Sequence, residues 1–194
     1  MDFTGTINII NYYITSPKIT RMLPEFNTDG NLPEGLYKPT LVEFKDRFVI
    51  NCADSKTRSP IYSGYMDYCN QMITFDIAST NWVNGSFTTQ KQDPGDIDIV
   101  IHYDALKLNK LPNREDINDR FLDQLKAKSI FHCHTQTVPV YPKHNPRYVL
   151  TFVTYKKWKK WFSRDKYTKK PKGLIEFDLS DDHHKQDVIG DGGK

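Results

Sequence analysis

The sequence has no apolar run approaching the roughly 18 residues that a transmembrane helix needs, so no membrane span is expected. Its first residues lack a basic segment followed by an apolar one, so no secretory signal is expected either. Cysteine is scarce: Cys52, Cys69 and Cys133 form an odd, widely spaced set without metal-ligand pairing. They read as reduced thiols of a cytoplasmic protein. No internal repeat is present, and a net charge of +3 gives little excess of either sign. What is present, 194 residues with 38% hydrophobic and 26% charged side chains, suits one soluble globular domain with its own core.

The most informative stretch runs from Asn84 to Asp98. Gly85 and Ser86 close a short apolar run, Trp82-Val83. After a polar loop comes Asp96-Ile97-Asp98-Ile99-Val100-Ile101. Side chains alternate along a strand, so Asp96 and Asp98 share one face while Ile97, Ile99 and Ile101 take the other. Two neighbouring carboxylates raise the cost of ionising each other, and a divalent cation removes that cost. Mg²⁺ takes one or two carboxylates plus phosphate oxygens. The Gly85–Ser86 turn offers backbone N–H groups and a hydroxyl to hold phosphates. The arrangement suits phosphoryl or nucleotidyl transfer. Each part also has a plainer reading: the turn as an ordinary strand end, the two aspartates as a solvated edge face.

Gly-Ser followed by Asp-x-Asp on an apolar strand resembles the signature of the nucleotidyltransferase superfamily with the polymerase-beta-like fold. The chain is further similar to a bacterial branch of nucleotidyltransferase-like proteins. Leu32-Pro33-Glu34-Gly35, Thr40 to Phe44, Gly85-Ser86-Phe87, Pro94 to Asp98, Val138 to Pro142, Trp158 to Phe162 and Pro171 to Glu176 occur in the expected order. The resemblance covers roughly residues 32–180. It implies an α+β fold: a single domain with a mixed β-sheet flanked by helices. Residues 1–31 then form an N-terminal strand and linker extension, and 181–194 a loose tail. It also implies a third carboxylate on the strand before Val138. This chain has His134 there, in Phe131-His132-Cys133-His134. A histidine there is a serviceable general base near neutral pH but a poor Mg²⁺ ligand, since hard cations prefer oxygen. Three possibilities stay open: the metal sits on Asp96 and Asp98 with water, Mn²⁺ replaces Mg²⁺, or the site binds nucleotide without turnover.

Along the chain, a strand is expected around Thr6 to Ile14. Thr40-Leu41-Val42-Glu43 reads as a capping box, and Ser59-Pro60 as a helix start with proline in the first turn. Ile61, Tyr65, Tyr68, Met72 and Phe75 recur at helical spacing and read as core. Asn113 to Asp116 opens another helix, whose buried face is Ile117, Phe121 and Leu125. Residues 129–140 are expected as a strand that places His132 and His134 on one face. A loop bounded by Pro142 and Pro146, a helix from Arg147 to Phe162 and a strand from Leu174 to Leu179 follow. His102, on the Asp98 face, reads as a strand end near the surface. His183 and His184 form no metal site by themselves.

From Lys156 to Lys172, nine of seventeen residues are Lys or Arg, with Trp158, Trp161, Phe162 and Tyr167 interleaved. Trp158, Trp161 and Phe162 are expected to pack inward. A charge run is usually a solvated helix face, yet Lys156, Lys157, Lys159 and Lys160 would also make a field for phosphate or nucleic acid. The leading expectation is a metal-dependent nucleotidyltransferase in which Gly85 and Ser86 grip an NTP. Asp96 and Asp98 hold Mg²⁺ or Mn²⁺, and His134 acts as base. RNA, a protein side chain or another nucleotide is the acceptor. The resemblance suggests a bacterial toxin–antitoxin or phage-defence setting with a cognate regulator or antitoxin. The competing expectations are a nucleotide- or RNA-binding regulator without turnover and, more remotely, a structural or interaction protein.

Overall fold

The structure, a computed structural model, describes residues 19–20 and 22–180. The strand expected over residues 6–14, the tail from 181 and with it His183 and His184 lie outside the described residues. The chain forms an α+β domain on one mixed sheet. Its strands are β1 (Ile19–Thr20), β2 (Leu36–Tyr37), β3 (Ala78–Asn84), β4 (Ile97–Asp104), β5 (Cys133–Val140) and β6 (Leu174–Asp178), in the order β1-β2-β6-β3-β4-β5. β3 lies antiparallel to both β4 and β6, while β4 and β5 run parallel.

The sheet separates two apolar layers, and alternation along β4 assigns its residues to them. Ile97, Ile99 and Ile101 join the larger layer with helices α1 (Leu41–Phe48) and α2 (Arg58–Thr74). Val100 joins Trp82, Val138, Leu174 and Phe162 in a smaller layer under α6 (Tyr148–Phe162). The expected α2 stripe is core: Ile61, Tyr65, Tyr68 and Met72 are buried and Phe75 packs against them. Phe44 sits among aromatic rings from three other elements, Tyr62 and Tyr65 of α2, Phe177 of β6 and Phe87 of the loop after β3.

Half of the capping box forms. The Thr40 hydroxyl accepts from Glu43 N at 3.1 Å, but the Glu43 carboxylate turns away to accept from Leu23 N at 2.6 Å. It thereby ties residues 22–26 to the domain, where Leu23 and Phe26 pack on the core.

Two expectations fail between Asn113 and Val140. Ile117 and Phe121 are buried, but Leu125 is 75% exposed. The cause is a break in the helix: after the short helices α3 (Ala105–Leu108) and α4 (Arg114–Ile117), a wide turn over Asn118–Leu122 ends at Asp123, whose extended backbone and side chain cap a new helix, α5 (Gln124–Phe131). The four-residue register therefore restarts, and Ala127 and Phe131 face inward instead. The strand expected from residue 129 begins only at Cys133. His132 is the left-handed C-cap of α5 (φ +57°), exposed, and does not share a strand face with His134.

Candidate functional site

The end of β3 and the starts of β4, β5 and β6 meet at one edge of the sheet, on the α6 side. Asn84 is in register with Asp98, and Asp98 with His134. Local chemistry fixes the turn after Asn84. Gly85 has φ +87°, and a Cβ there would lie 1.9 Å from Asp98 Oδ2, so glycine alone lets the carboxylate approach. The Asn84 side chain accepts from Gly85 N at 2.8 Å, and its amide donates to the carbonyls of Phe162 and Gly173. Phe87, fully buried between Phe44 and Phe48, anchors the far side of the turn. The N–H groups of Ser86, Phe87 and Thr88 donate to no acceptor among the described residues. Successive unpaired N–H groups in a turn are a ready anion cradle.

The two carboxylate oxygens of Asp98 differ in partners: Oδ1 accepts from His134 Nδ1 at 2.8 Å, while Oδ2 faces Gly85. Burial pushes the Asp98 carboxyl up and the nearby Asp96 charge adds to this, while His134 and Lys172 pull it down. With Nδ1–H given to the carboxylate, the neutral His134 ring presents Nε2 as an acceptor, and the Gln124 amide at the start of α5 donates to it. Asp96 is paired with Lys128 of α5 at 2.7 Å. That contact holds the Lys128 ammonium above the ordinary lysine range.

The sequence-predicted residues thus separate into two groups. Gly85, Ser86, Asp96, Asp98 and His134 come together. Lys156, Lys157, Lys159 and Lys160 line α6 and hydrogen-bond none of them among the described residues. Lys156 lies over the Phe152 ring at 4.2 Å and Lys157 over Trp158 at 4.2 Å. Lys159 is partly buried, and burial draws its ammonium below the ordinary range while Glu176 opposes this. Phe162 is buried and Trp158 partly so, but Trp161 is 62% exposed rather than turned inward, because it precedes Phe162 by one residue and so lies about 100° away around the helix.

His102 is the other correction. It shares the Asp98 face but is buried against Trp82 and Tyr155, far from a surface strand end. Its Nδ1 donates to Thr80 O at 3.2 Å and Nε2 has no hydrogen-bond partner among the described residues. Burial lowers its pKa from 6.5 to about 4, and the Thr80 and Glu176 contacts only partly oppose this. Between these two values the unfolded chain binds more protons than the folded one, so stability falls as pH falls through the window. Removing this component in His102→Phe is expected to flatten the acid limb of a stability-versus-pH curve by about 3 kcal/mol. Urea titrations of both proteins from pH 7 to pH 4 measure it; parallel curves refute the assignment.

Two residues that matter to the site were not singled out from the sequence. Lys172 is buried beside Gly85. Arg58, 1% exposed, donates to backbone carbonyls of the loop that follows Ser86. Both have a sequence signal only in retrospect: a lysine between Pro171 and Gly173, and an arginine at the start of an otherwise apolar helix face.

Among the described residues no group of three or more His, Cys, Asp or Glu side chains is set to hold a metal ion. The donor set fits a different case, an Mg²⁺ that arrives with phosphate. Asp96 and Asp98 would supply two hard oxygens to such an ion, with phosphate oxygens and water as its remaining ligands, and the half-exposed Lys128 is a surface partner of Asp96.

No curated protein and no solved structure matches the chain. A family model described as a family of unknown function, DUF6932, matches residues 24–178, which span β2 to β6 with every helix of the described residues and all of the clustered residues above. The chain belongs to the DUF6932 family.

Proposed function

We propose that this protein is a metal-dependent nucleotidyltransferase of the nucleotidyltransferase-like fold, moving a nucleoside monophosphate from an NTP to a hydroxyl acceptor as the α–β phosphoanhydride bond breaks and pyrophosphate leaves. The observation that carries the reading is the close fit of Gly85 against Asp98, with Asp96 one strand step away and His134 in register. A glycine-dependent turn with unpaired N–H groups beside two carboxylates has the parts that triphosphate and metal need. The Ser86–Thr88 amides and the Ser86 hydroxyl bind phosphate oxygens, and Asp96 and Asp98 hold Mg²⁺ or Mn²⁺. When bound, that ion offsets charge on the phosphoryl group being transferred. His134, oriented by Asp98, takes the acceptor's proton at Nε2 once Gln124 yields that position. The lysines of α6 supply a positive field for an RNA acceptor; a protein side chain or a second nucleotide are the alternatives.

The test is incubation with each labelled NTP, Mg²⁺ or Mn²⁺, and total RNA or lysate. Wild type is expected to label an acceptor. Asp96→Asn combined with Asp98→Asn is expected to lower transfer at least about 10²-fold and to abolish metal-dependent NTP binding in calorimetry. The doubly substituted protein stays folded, because the change removes two like charges. Unchanged NTP affinity in that variant rules out this site.

A second reading, a nucleotide- or RNA-binding regulator without turnover, is favoured by one specific feature. Each acidic group already has a partner, Lys128 on Asp96 and His134 on Asp98, and Gln124 occupies the remaining ring nitrogen. Tight nucleotide binding with no labelled product under any metal selects that reading.

A further inference from the structure

The segment Pro171-Lys172-Gly173 leads into β6 and passes directly beneath the Gly85–Ser86 turn. Its backbone is pinned on several sides. Lys172 N donates to Ser163 O at 2.9 Å, Gly173 N to Leu32 O at 2.9 Å, and the Asn84 amide to Gly173 O at 3.2 Å. Lys172 is left 8% exposed. An ammonium has three N–H donors. Among the described residues Nζ has a single acceptor, the Gly85 carbonyl, at 3.5 Å, the outer edge of hydrogen-bond range. Asp165 and Asp98 act on it through space without hydrogen-bonding to it. A buried ammonium so sparsely paired is destabilising unless something else repays its lost hydration.

The atom it touches is the informative part. The carbonyl and N–H of one trans peptide point opposite ways. The Gly85 carbonyl accepts from Lys172 Nζ and, at 3.4 Å, from Thr88 Oγ1, so the Ser86 N–H of the same peptide points away from both. The same charge lies within electrostatic range of Asp98.

We propose that Lys172 is the positioning residue that sets the anion affinity of this turn, fixing the peptide that presents the Ser86 N–H and supplying positive charge for a polyphosphate beside Asp98. The inference rests on the nucleotide reading above and names the residue that makes its phosphate subsite work. It also accounts for the burial of a lysine with so few partners, since a bound polyphosphate supplies the missing negative charge. Burial draws the Lys172 ammonium below the ordinary lysine range, with Asp165 and Asp98 opposing. A bound anion pulls it back up, so binding in alkaline solution takes up protons.

Inorganic tripolyphosphate with Mg²⁺ is the probe, measured by calorimetry in two buffers of different ionisation enthalpy, with ATP in parallel. Lys172→Met is expected to weaken tripolyphosphate binding about tenfold or more, the loss of one charge-assisted contact, and to abolish proton uptake. Its melting temperature is expected to be no lower than wild type, because a buried charge is gone. Lys172→Arg keeps its charge at every accessible pH, so its affinity stays flat where that of wild type falls with rising pH. That comparison holds even if the methionine variant folds poorly. Wild-type binding of tripolyphosphate with equal affinity in Lys172→Met, or equal pH profiles for wild type and Lys172→Arg, overturns the assignment and leaves the nucleotide reading standing. Absence of tripolyphosphate and ATP binding by wild type overturns both.

Discussion

Arg58→Met is expected to lower the thermal midpoint by roughly 10 °C, the largest stability loss of any single substitution outside the hydrophobic core. The guanidinium donates to the carbonyls of Phe48 (3.0 Å), Phe87 (2.7 Å), Thr89 (2.7 Å), Lys91 (2.6 Å) and Gln92 (3.3 Å). No carboxylate hydrogen-bonds to it among the described residues. Only a planar fork with five donors can satisfy such a set at once. Methionine fills much of the volume but leaves the carbonyls without donors, at about 3–5 kcal/mol in total after partial rehydration. Most of those carbonyls belong to the loop after Ser86, so the anion cradle is expected to loosen with the fold. Arg58→Lys recovers only part of the loss, because an ammonium has three donors and no fork. Thermal melts of the three proteins decide it, and a shift under about 2 °C for methionine shows that the loop holds itself.

Gly85→Ala is expected to remove metal-dependent NTP binding altogether. It acts through two separate terms. The backbone at φ +87° is strained for any residue with a Cβ, by about 1 kcal/mol. The added methyl also meets Asp98 Oδ2 at 1.9 Å and Cγ at 2.8 Å, so the carboxylate must move. Moving it breaks the 2.8 Å contact with His134 and the alignment with Asp96. Overpacking of this kind adds about 1–3 kcal/mol, for a total near 2–4 kcal/mol. A double-substitution cycle separates the terms: Gly85→Ala with Asp98→Ala recovers the clash component of stability while binding stays absent. If Gly85→Ala binds NTP as wild type does, Asp98 is not part of the site.

Much of this site was legible in the sequence because its logic is local. The two-residue alternation of Asp96 and Asp98 against Ile97, Ile99 and Ile101 sends the isoleucines to the core and the carboxylates to the other face, whatever else the chain does. The Gly85–Ser86 turn is equally local, set by glycine's freedom at positive φ. The α2 stripe, the helix over Tyr148–Phe162 and the closing strand follow from periodicities of a few residues. Errors fell where a single local feature reset that period. Asp123 caps a new helix in the middle of an apolar pattern, which shifts Leu125 outward and delays β5 to Cys133.

What only the tertiary structure decided is which distant groups meet. The sequence placed His134 on a strand, but the parallel register of β4 and β5 puts it on Asp98. His102 has the same alternation as Asp98, yet α6 covers it with Tyr155, and burial rather than position sets its proton affinity. Arg58 and Lys172 find their partners 29 and 87 residues away, in the loop and turn that carry the site. Local periodicity fixes which face a side chain takes, because it depends only on backbone geometry. Partners at such separations depend on strand order and on what closes over each face, and no short-range pattern encodes that.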